Sequence, residues 1–323
     1  MLVSEKSARP VTFPTMAQPQ PIAASVPDSP AARPVGFTGT DALLGLMVTL
    51  WGINFIVMKA VLPAFNSPLG FNAARYTLAT IGIAGVALAS GAKRPPAVYL
   101  WRLLLMGLAG NTAYQLLFIE GLAHTRAGNA ALIMAAVPVE TAILSHFLGH
   151  ERLRARDVAG LVLATAGIST VILGSGTAVG LGGSVGGDLL TFLSTLMWSW
   201  YAIGTKPLTD ALGPIATTAW TMALGGLPLV LIGIPSVLAQ DWHATTPTVW
   251  AGVVYSSLGS LVLAYIIWNR GISRLGPSRT AIFSNFTPVV AILAAWPLLG
   301  EIPTLWQILG AAGIFGGIVL TRT

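Results

Sequence analysis

The stretch Ala127 to Glu151, AGNAALIMAAVPVETAILSHFLGHE, decides how the chain is organised, because it occurs twice. Shifted by 150 positions it falls on Pro277 to Glu301, PSRTAIFSNFTPVVAILAAWPLLGE. Ala131 lands on Ala281, Pro138 on Pro288, Val139 on Val289, Leu148 on Leu298 and Glu151 on Glu301. The register continues outward, with Gly121 on Gly271, Gly160 on Gly310 and Gly167 on Gly317. A second block agrees at an offset of 147, pairing Asp41 with Asp188, Leu43 with Leu190, Trp51 with Trp198 and Lys59 with Lys206. Self-similarity of this kind makes the chain two copies of one unit of roughly 135 residues.

Composition identifies the solvent. Of 323 residues, 54% are hydrophobic and only 9% are charged, against about 25% charged in a soluble domain. Too few charges exist to cover a water-facing surface, so lipid must face most of it. The chain has no cysteine, which excludes disulfide frameworks and thiolate metal sites. A net charge of +6 invites a nucleic-acid partner; the basic residues flank apolar runs instead of lining one face, so none is expected.

Residues 1–40 hold seven of the 21 prolines among Ser, Ala and Gln, a composition that cannot bury apolar area and is expected to be a disordered tail. The tail carries no continuous apolar stretch, so no cleavable signal peptide is expected. Apolar runs then follow one another, each about the 20 residues a bilayer crossing needs. The expected helices are 41–62, 69–90, 99–121, 127–148 and 155–174, then 187–206, 214–238, 248–270, 277–299 and 303–321. A glycine-rich linker, 175–186, separates the repeats 41–174 and 187–321. The fold class is thus an all-α membrane protein of ten transmembrane helices.

Five crossings per copy start the second copy on the opposite side of the membrane, which makes the copies an inverted repeat. Lys and Arg in short loops stay cytoplasmic. With the N-terminus inside, 14 basic residues fall on inner segments, Lys59 and Arg126 fall outside, and Arg75 lies within a helix. Both termini are expected to be cytoplasmic.

This pattern resembles the drug/metabolite transporter superfamily, in particular its EamA-type members. The residues that carry the resemblance are the Trp early in the first helix of each copy (Trp51, Trp198), Pro-Val inside the fourth (Pro138-Val139, Pro288-Val289), and the closing Glu151 and Glu301. The resemblance implies a bacterial inner-membrane exporter or facilitator of small metabolites, and aromatic rings around an acid extend the expected substrates to amino acids and amphipathic or cationic drugs. It further implies a cavity lined by the first, third and fourth helices of each copy.

Read from the residues alone, polar groups deep in a bilayer cost several kcal/mol unless satisfied, so they mark a wet or liganded interior. Glu140 is the deepest acid, two residues after Pro138 and on one helical face with Asn129, Ile133 and Ala136. It is the candidate proton or cation site; the plainer alternative is a neutral carboxyl bonded to a neighbouring helix. A carboxyl that exchanges a proton for a cationic substrate would couple export to protons. Trp51, Asn54, Trp198 and Tyr201 on the first helices, Gln115 and Tyr265 on the third, and Asn285 on the fourth are the candidate substrate contacts, with packing as the alternative for the aromatic ones.

Arg75 and Glu120, at similar depth, are expected to form an ion pair, with an outer gate as the second reading. Lys59 and Lys206 are expected to snorkel. His146 and His150 at i,i+4 lack further ligands, so no metal and no cofactor is expected. Gly313 and Gly317 form a GxxxG, and Gly160, Ala164 and Gly167 line one face of the fifth helix, small residues that serve packing inside a monomer or a homodimer face. An HExxH and an acidic dyad are both missing from the helices, which speaks against a membrane enzyme. A non-transporting receptor or scaffold stays open.

Overall fold

Two prolines fix where two of the apolar runs break. In the computed structural model, which describes residues 39–148, 155–174, 184–284 and 286–320, the run expected as one helix from 127 to 148 is two: α5 ends at Met134, four residues before Pro138, and α6 begins at Val137. A proline has no N–H to donate and its ring crowds the carbonyl four residues back. The last turn tightens instead, with Ala135 N–H donating to Leu132 O (3.1 Å) and Ala136 N–H to Ile133 O (3.0 Å). The same happens 150 residues on: α12 ends at Ser284, four before Pro288, and α13 starts at Thr287.

The whole series reads α1 Gly39–Val61, α2 Pro68–Ala89, α3 Ala97–Gly107, α4 Tyr114–His124, α5 Ala127–Met134, α6 Val137–Phe147 and α7 Ala155–Leu173. It then reads α8 Ser184–Leu212, α9 Pro214–Leu238, α10 Pro247–Val254, α11 Ala264–Leu275, α12 Pro277–Ser284, α13 Thr287–Leu299 and α14 Leu305–Leu320. No strand occurs among the described residues. A π-helical segment, Leu108–Ala113, joins α3 to α4, and another, Tyr255–Leu263, joins α10 to α11. These two segments were not expected from the sequence. A π turn widens the helix by one residue and loosens the backbone bonding there, a feature concentrated at functional sites.

The turns follow the punctuation in the sequence. Ser67 caps α2, its Oγ accepting from Gly70 N–H at 3.0 Å, with Pro68 at the first helical position. Gly213 and Gly276 take φ of 81° and 83° at the α8–α9 and α11–α12 corners, a left-handed region that favours glycine. The tail 1–38, His150, Glu151, Arg152, Arg154, most of the glycine-rich linker and Asn285 lie outside the described residues.

Helices pack across the two series. α2 lies against α9 and α7 against α14, while α1 meets α11 and α13 and α8 meets α4 and α6. The pairs run antiparallel: Gly233 faces Ala73 and Gly226 faces Tyr76, so α9 climbs as α2 descends. The small-residue stripes of α7 and α14 face each other, since a Cβ on Gly167 would stand 2.6 Å from Gly310 O and one on Gly317 would stand 2.3 Å from Gly160 O. They serve packing inside the chain.

Among the described residues, five helical stretches are long and apolar enough to cross a membrane: Gly39–Ala64, Ala97–His124, Ala127–Leu144, Pro214–Leu238 and Pro247–Leu275. Shorter apolar helices include Thr287–Leu299 and Leu305–Gly317. α8 falls outside that set although it is 29 residues long. Its Asp188, Thr191, Ser194, Thr195, Ser199, Thr205 and Thr209 are all buried, so its polar groups turn inward and lower its hydropathy. The outward surface is apolar, with Leu231, Leu293, Trp296, Leu305 and Ile308 each more than half exposed.

Candidate functional site

Residues equivalent by the sequence offsets meet in space at the centre of the molecule. Trp51 on α1 and Trp198 on α8 lie edge to face, ring centroids 5.7 Å apart and planes at 83°. Gln115 on α4 and Tyr265 on α11 are hydrogen-bonded, Gln115 Nε2 donating to the tyrosine hydroxyl at 3.1 Å. Tyr265 also packs against Trp51 at 6.3 Å and Trp198 at 5.1 Å, and Trp268 lies 5.4 Å from both tryptophans. Aromatic pairs in these geometries contribute about 0.5–1.5 kcal/mol each beyond area burial, so the box is held in shape by its own rings. Trp51 Nε1 donates to the Ser260 carbonyl at 3.1 Å, a backbone oxygen of the second π segment.

The box walls a small cavity of about 40 Å³, room for a few waters, so a whole small molecule fits only once the box opens. Trp51, Asn54 and Phe55 line it from α1, Arg75 from α2, and Tyr114, Gln115 and Phe118 from α4. Met134 and Val137 border the α5–α6 break, and Ser284 and Thr287 the α12–α13 break. Trp198, Ser260, Leu261 and Tyr265 complete it. Both proline breaks and the second π segment therefore open onto one space. The first, third and fourth helices of each series contribute, as the sequence resemblance implied; Arg75 on α2 is an addition to that set.

Arg75 is 1% exposed and is the only formally charged side chain among the described lining residues. The expected ion pair with Glu120 does not form. Glu120 sits one turn from the end of α4 and bonds His124 Nε2 at 3.1 Å, whereas Arg75 points inward. Its Nη1 donates to Met58 Sδ (3.0 Å) and Asn72 Oδ1 (3.3 Å), its Cζ lies 5.6 Å over the Phe71 ring, and its Nε has no hydrogen-bond partner. Asn54 Oδ1, Gln115 Oε1 and Thr287 Oγ1, all on lining residues, are likewise buried without partners. Unpaired buried polar atoms are rare in folded proteins; four of them sit on residues that line this one cavity.

Glu140 stands apart from the cavity lining. Its Oε1 accepts from Thr195 Oγ1 at 2.6 Å and its Oε2 from Ser199 Oγ at 3.2 Å, both on α8. The carboxyl thus joins α6 to α8 across the two series. Tyr201 is fully buried behind Trp198, stacked at 5.1 Å, and its hydroxyl accepts from Asn269 Nδ2 at 3.1 Å. Asn285 lies outside the described residues, between Ser284 and Phe286.

Lys59 reaches toward the end of α4. Its ammonium donates to the carbonyls of Leu122 (2.9 Å) and Ala123 (3.2 Å) and to that of Thr125, capping the end of α4. Lys206 pairs with Asp210. Glu301 faces the start of α5, accepting from the N–H groups of Ala127 and Gly128, each at 3.4 Å. Among the described residues no group of acidic or His side chains could hold a metal ion.

Comparison with known proteins adds a common pattern. The model of the EamA-like transporter family matches residues 40–173 and again residues 185–323. The chain is 28% identical over 217 residues to the Bacillus subtilis protein named "Uncharacterized transporter YyaM", covering 67% of this chain and 71% of that one. It is 27% identical over 283 residues to a Streptantibioticus cattleyicolor protein named "Probable terminal-alkyne amino-acid exporter", covering 86% and 92%. A crystal structure 21% identical in sequence superposes with a TM-score of 0.63 over 88% of this chain and 96% of the other, a likeness of fold.

Proposed function

Because the chain belongs to the EamA-like transporter family, a multi-pass membrane transporter and not an enzyme, we propose that it works as a secondary exporter or facilitator of small metabolites by alternating access. The observation that carries this is the shared central cavity, where equivalent residues of the two series, Trp51 with Trp198 and Gln115 with Tyr265, touch each other. A site on a pseudo-two-fold axis can be exposed to either side by rocking one half against the other. The two proline breaks give each half a hinge at the depth of the site.

In this reading the two series are inverted five-span repeats in a bacterial inner membrane, with both termini cytoplasmic. The antiparallel pairing of α2 with α9 and of α7 with α14 supports the inversion, and the double match of the family model supports the repeat. The α12–α13 pair counts as one span, because a helix interrupted where it lines a cavity can cross in two pieces. Glu140, bridging α6 and α8, is the proton-binding group of this scheme and acts on the contact between the halves, away from the substrate.

Flux through sealed proteoliposomes tests the proposal. Loaded with amino acids, aromatic acids and aromatic amines in turn, wild-type protein is expected to show saturable flux of at least one class. Trp198→Ala should lower that flux by tenfold or more, since the box loses several ring contacts worth about 0.5–1.5 kcal/mol each, while Trp306→Ala at the lipid-facing start of α14 should leave it within about twofold, as surface changes do. Binding without flux for every class would point to a receptor or scaffold.

A further inference from the structure

Arg75 carries one more step, which rests on the transporter reading and narrows its substrate. We propose that the cavity is selective for organic monoanions: a carboxylate received by the Arg75 guanidinium, on an apolar or aromatic body held by Trp51, Trp198 and Tyr265.

The argument is one of charge balance. Arg75 is buried and its protein partners are all neutral: a thioether, an amide oxygen and the face of Phe71. Neither ion pair of the described residues includes it. A guanidinium presents five N–H donors; here Nη1 is used and Nε is unpaired. Burying such a charge without a counter-ion is costly, and a carboxylate matches the guanidinium fork in shape and charge. No acid lines the cavity, and Glu140 is already engaged by Thr195 and Ser199. An ammonium group would therefore enter a site whose only formal charge repels it. The unpaired oxygens of Asn54, Gln115 and Thr287 call for donors that a hydroxyl or a water supplies without adding charge.

Three probes with one phenyl body separate the charge classes: 3-phenylpropionate (anion), 2-phenylethylamine (cation) and phenylalanine (both). Trp51, Trp198 and Trp268 around the cavity make tryptophan fluorescence of the purified protein in detergent a binding readout that needs no flux. The expected order is 3-phenylpropionate tightest, with phenylalanine and 2-phenylethylamine weaker by about tenfold or more, as one hydrogen-bonded charge pair allows. Arg75→Gln is expected to weaken the anion by roughly tenfold to a hundredfold and leave the amine unchanged or improved. Arg75→Lys keeps the charge without the fork and should fall between. If Arg75→Gln does not fold, the wild-type order and Arg75→Lys still decide.

An amine or a zwitterion bound as tightly as 3-phenylpropionate would overturn the proposal. So would no saturable binding of the anion, or equal anion binding by wild type and Arg75→Gln. The transporter reading fails separately: anion binding without flux would sink it and leave the charge selectivity standing.

Discussion

Gly225→Ala is expected to cut the yield of folded protein to a few per cent of wild type, whereas Gly85→Ala should leave it unchanged or slightly raised. Gly225 on α9 crosses Gly107 at the end of α3, and a Cβ there would stand 2.0 Å from the Gly107 carbonyl oxygen and 2.3 Å from its carbon. Both are backbone atoms, so no side chain can rotate away and the helices themselves would have to separate. Overpacking of a tight interior costs about 1–3 kcal/mol and more where nothing yields, and since a loss of about 1–2 kcal/mol already lowers abundance several-fold, a loss at or beyond the top of that range accounts for the drop. The separation would also disturb the neighbouring bond from Thr112 Oγ1 to the Gly225 carbonyl. Gly85, on the exposed side of α2, has nothing within 4 Å of its would-be Cβ, and alanine there gains up to about 1 kcal/mol of helix propensity. Size-exclusion yield and melting temperature in detergent measure both; equal behaviour of the two variants would refute the close α3–α9 crossing.

Glu140→Gln is expected to give a folded protein whose transport no longer depends on pH between 5 and 8. Glutamine can keep the geometry, its Oε1 accepting from Thr195 while the Ser199 hydroxyl, which already reaches the Val137 carbonyl at 3.3 Å, turns to accept from the amide. What it cannot do is gain or lose a proton. An ionised carboxylate only accepts bonds, while a protonated acid must also donate one, so under the proposed scheme each proton bound would change the α6–α8 contact and with it the rocking of the halves. A single titrating group changes a rate by up to about tenfold per pH unit, and that slope should flatten in the variant. Identical pH profiles for the two proteins would make Glu140 a structural tie.

How much of this was legible in the sequence depends on the kind of information. The offsets of 150 and 147 are properties of residues alone, and they led to residues that touch, Trp51 with Trp198 and Gln115 with Tyr265. The proline breaks were visible as Pro138 and Pro288, but hydropathy runs straight through them, so one helix was expected where two exist. The π segments carry no punctuation at all: Leu108–Ala113 holds no proline and nothing in its composition marks the extra residue. Arg75 was misassigned for a different reason. Depth along a helix was readable and placed it near Glu120, but the rotation of α2 and α4 about their axes is set by packing, and that rotation turns Arg75 to the cavity and Glu120 to His124. A lone arginine inside an apolar helix with no acid one turn away was the available signal. Glu140 was correctly read as buried, and the hydroxyls that hold it lie 55 and 59 residues later in the chain, beyond any local pattern.

The central claim is that the cavity alternates between the two sides of the membrane, and one-sided thiol labelling tests it most directly. The chain has no cysteine, so single cysteines report without background. Ser90→Cys after α2 and Ala244→Cys between α9 and α10, both exposed, calibrate the sides, the first expected to react with an impermeant reagent only from the cytoplasm and the second only from outside. Ser284→Cys, in the cavity lining at the α12–α13 break, is then expected to react from either side. Reaction of Ser284→Cys from one side alone, in protein that still transports, would contradict alternating access at this cavity.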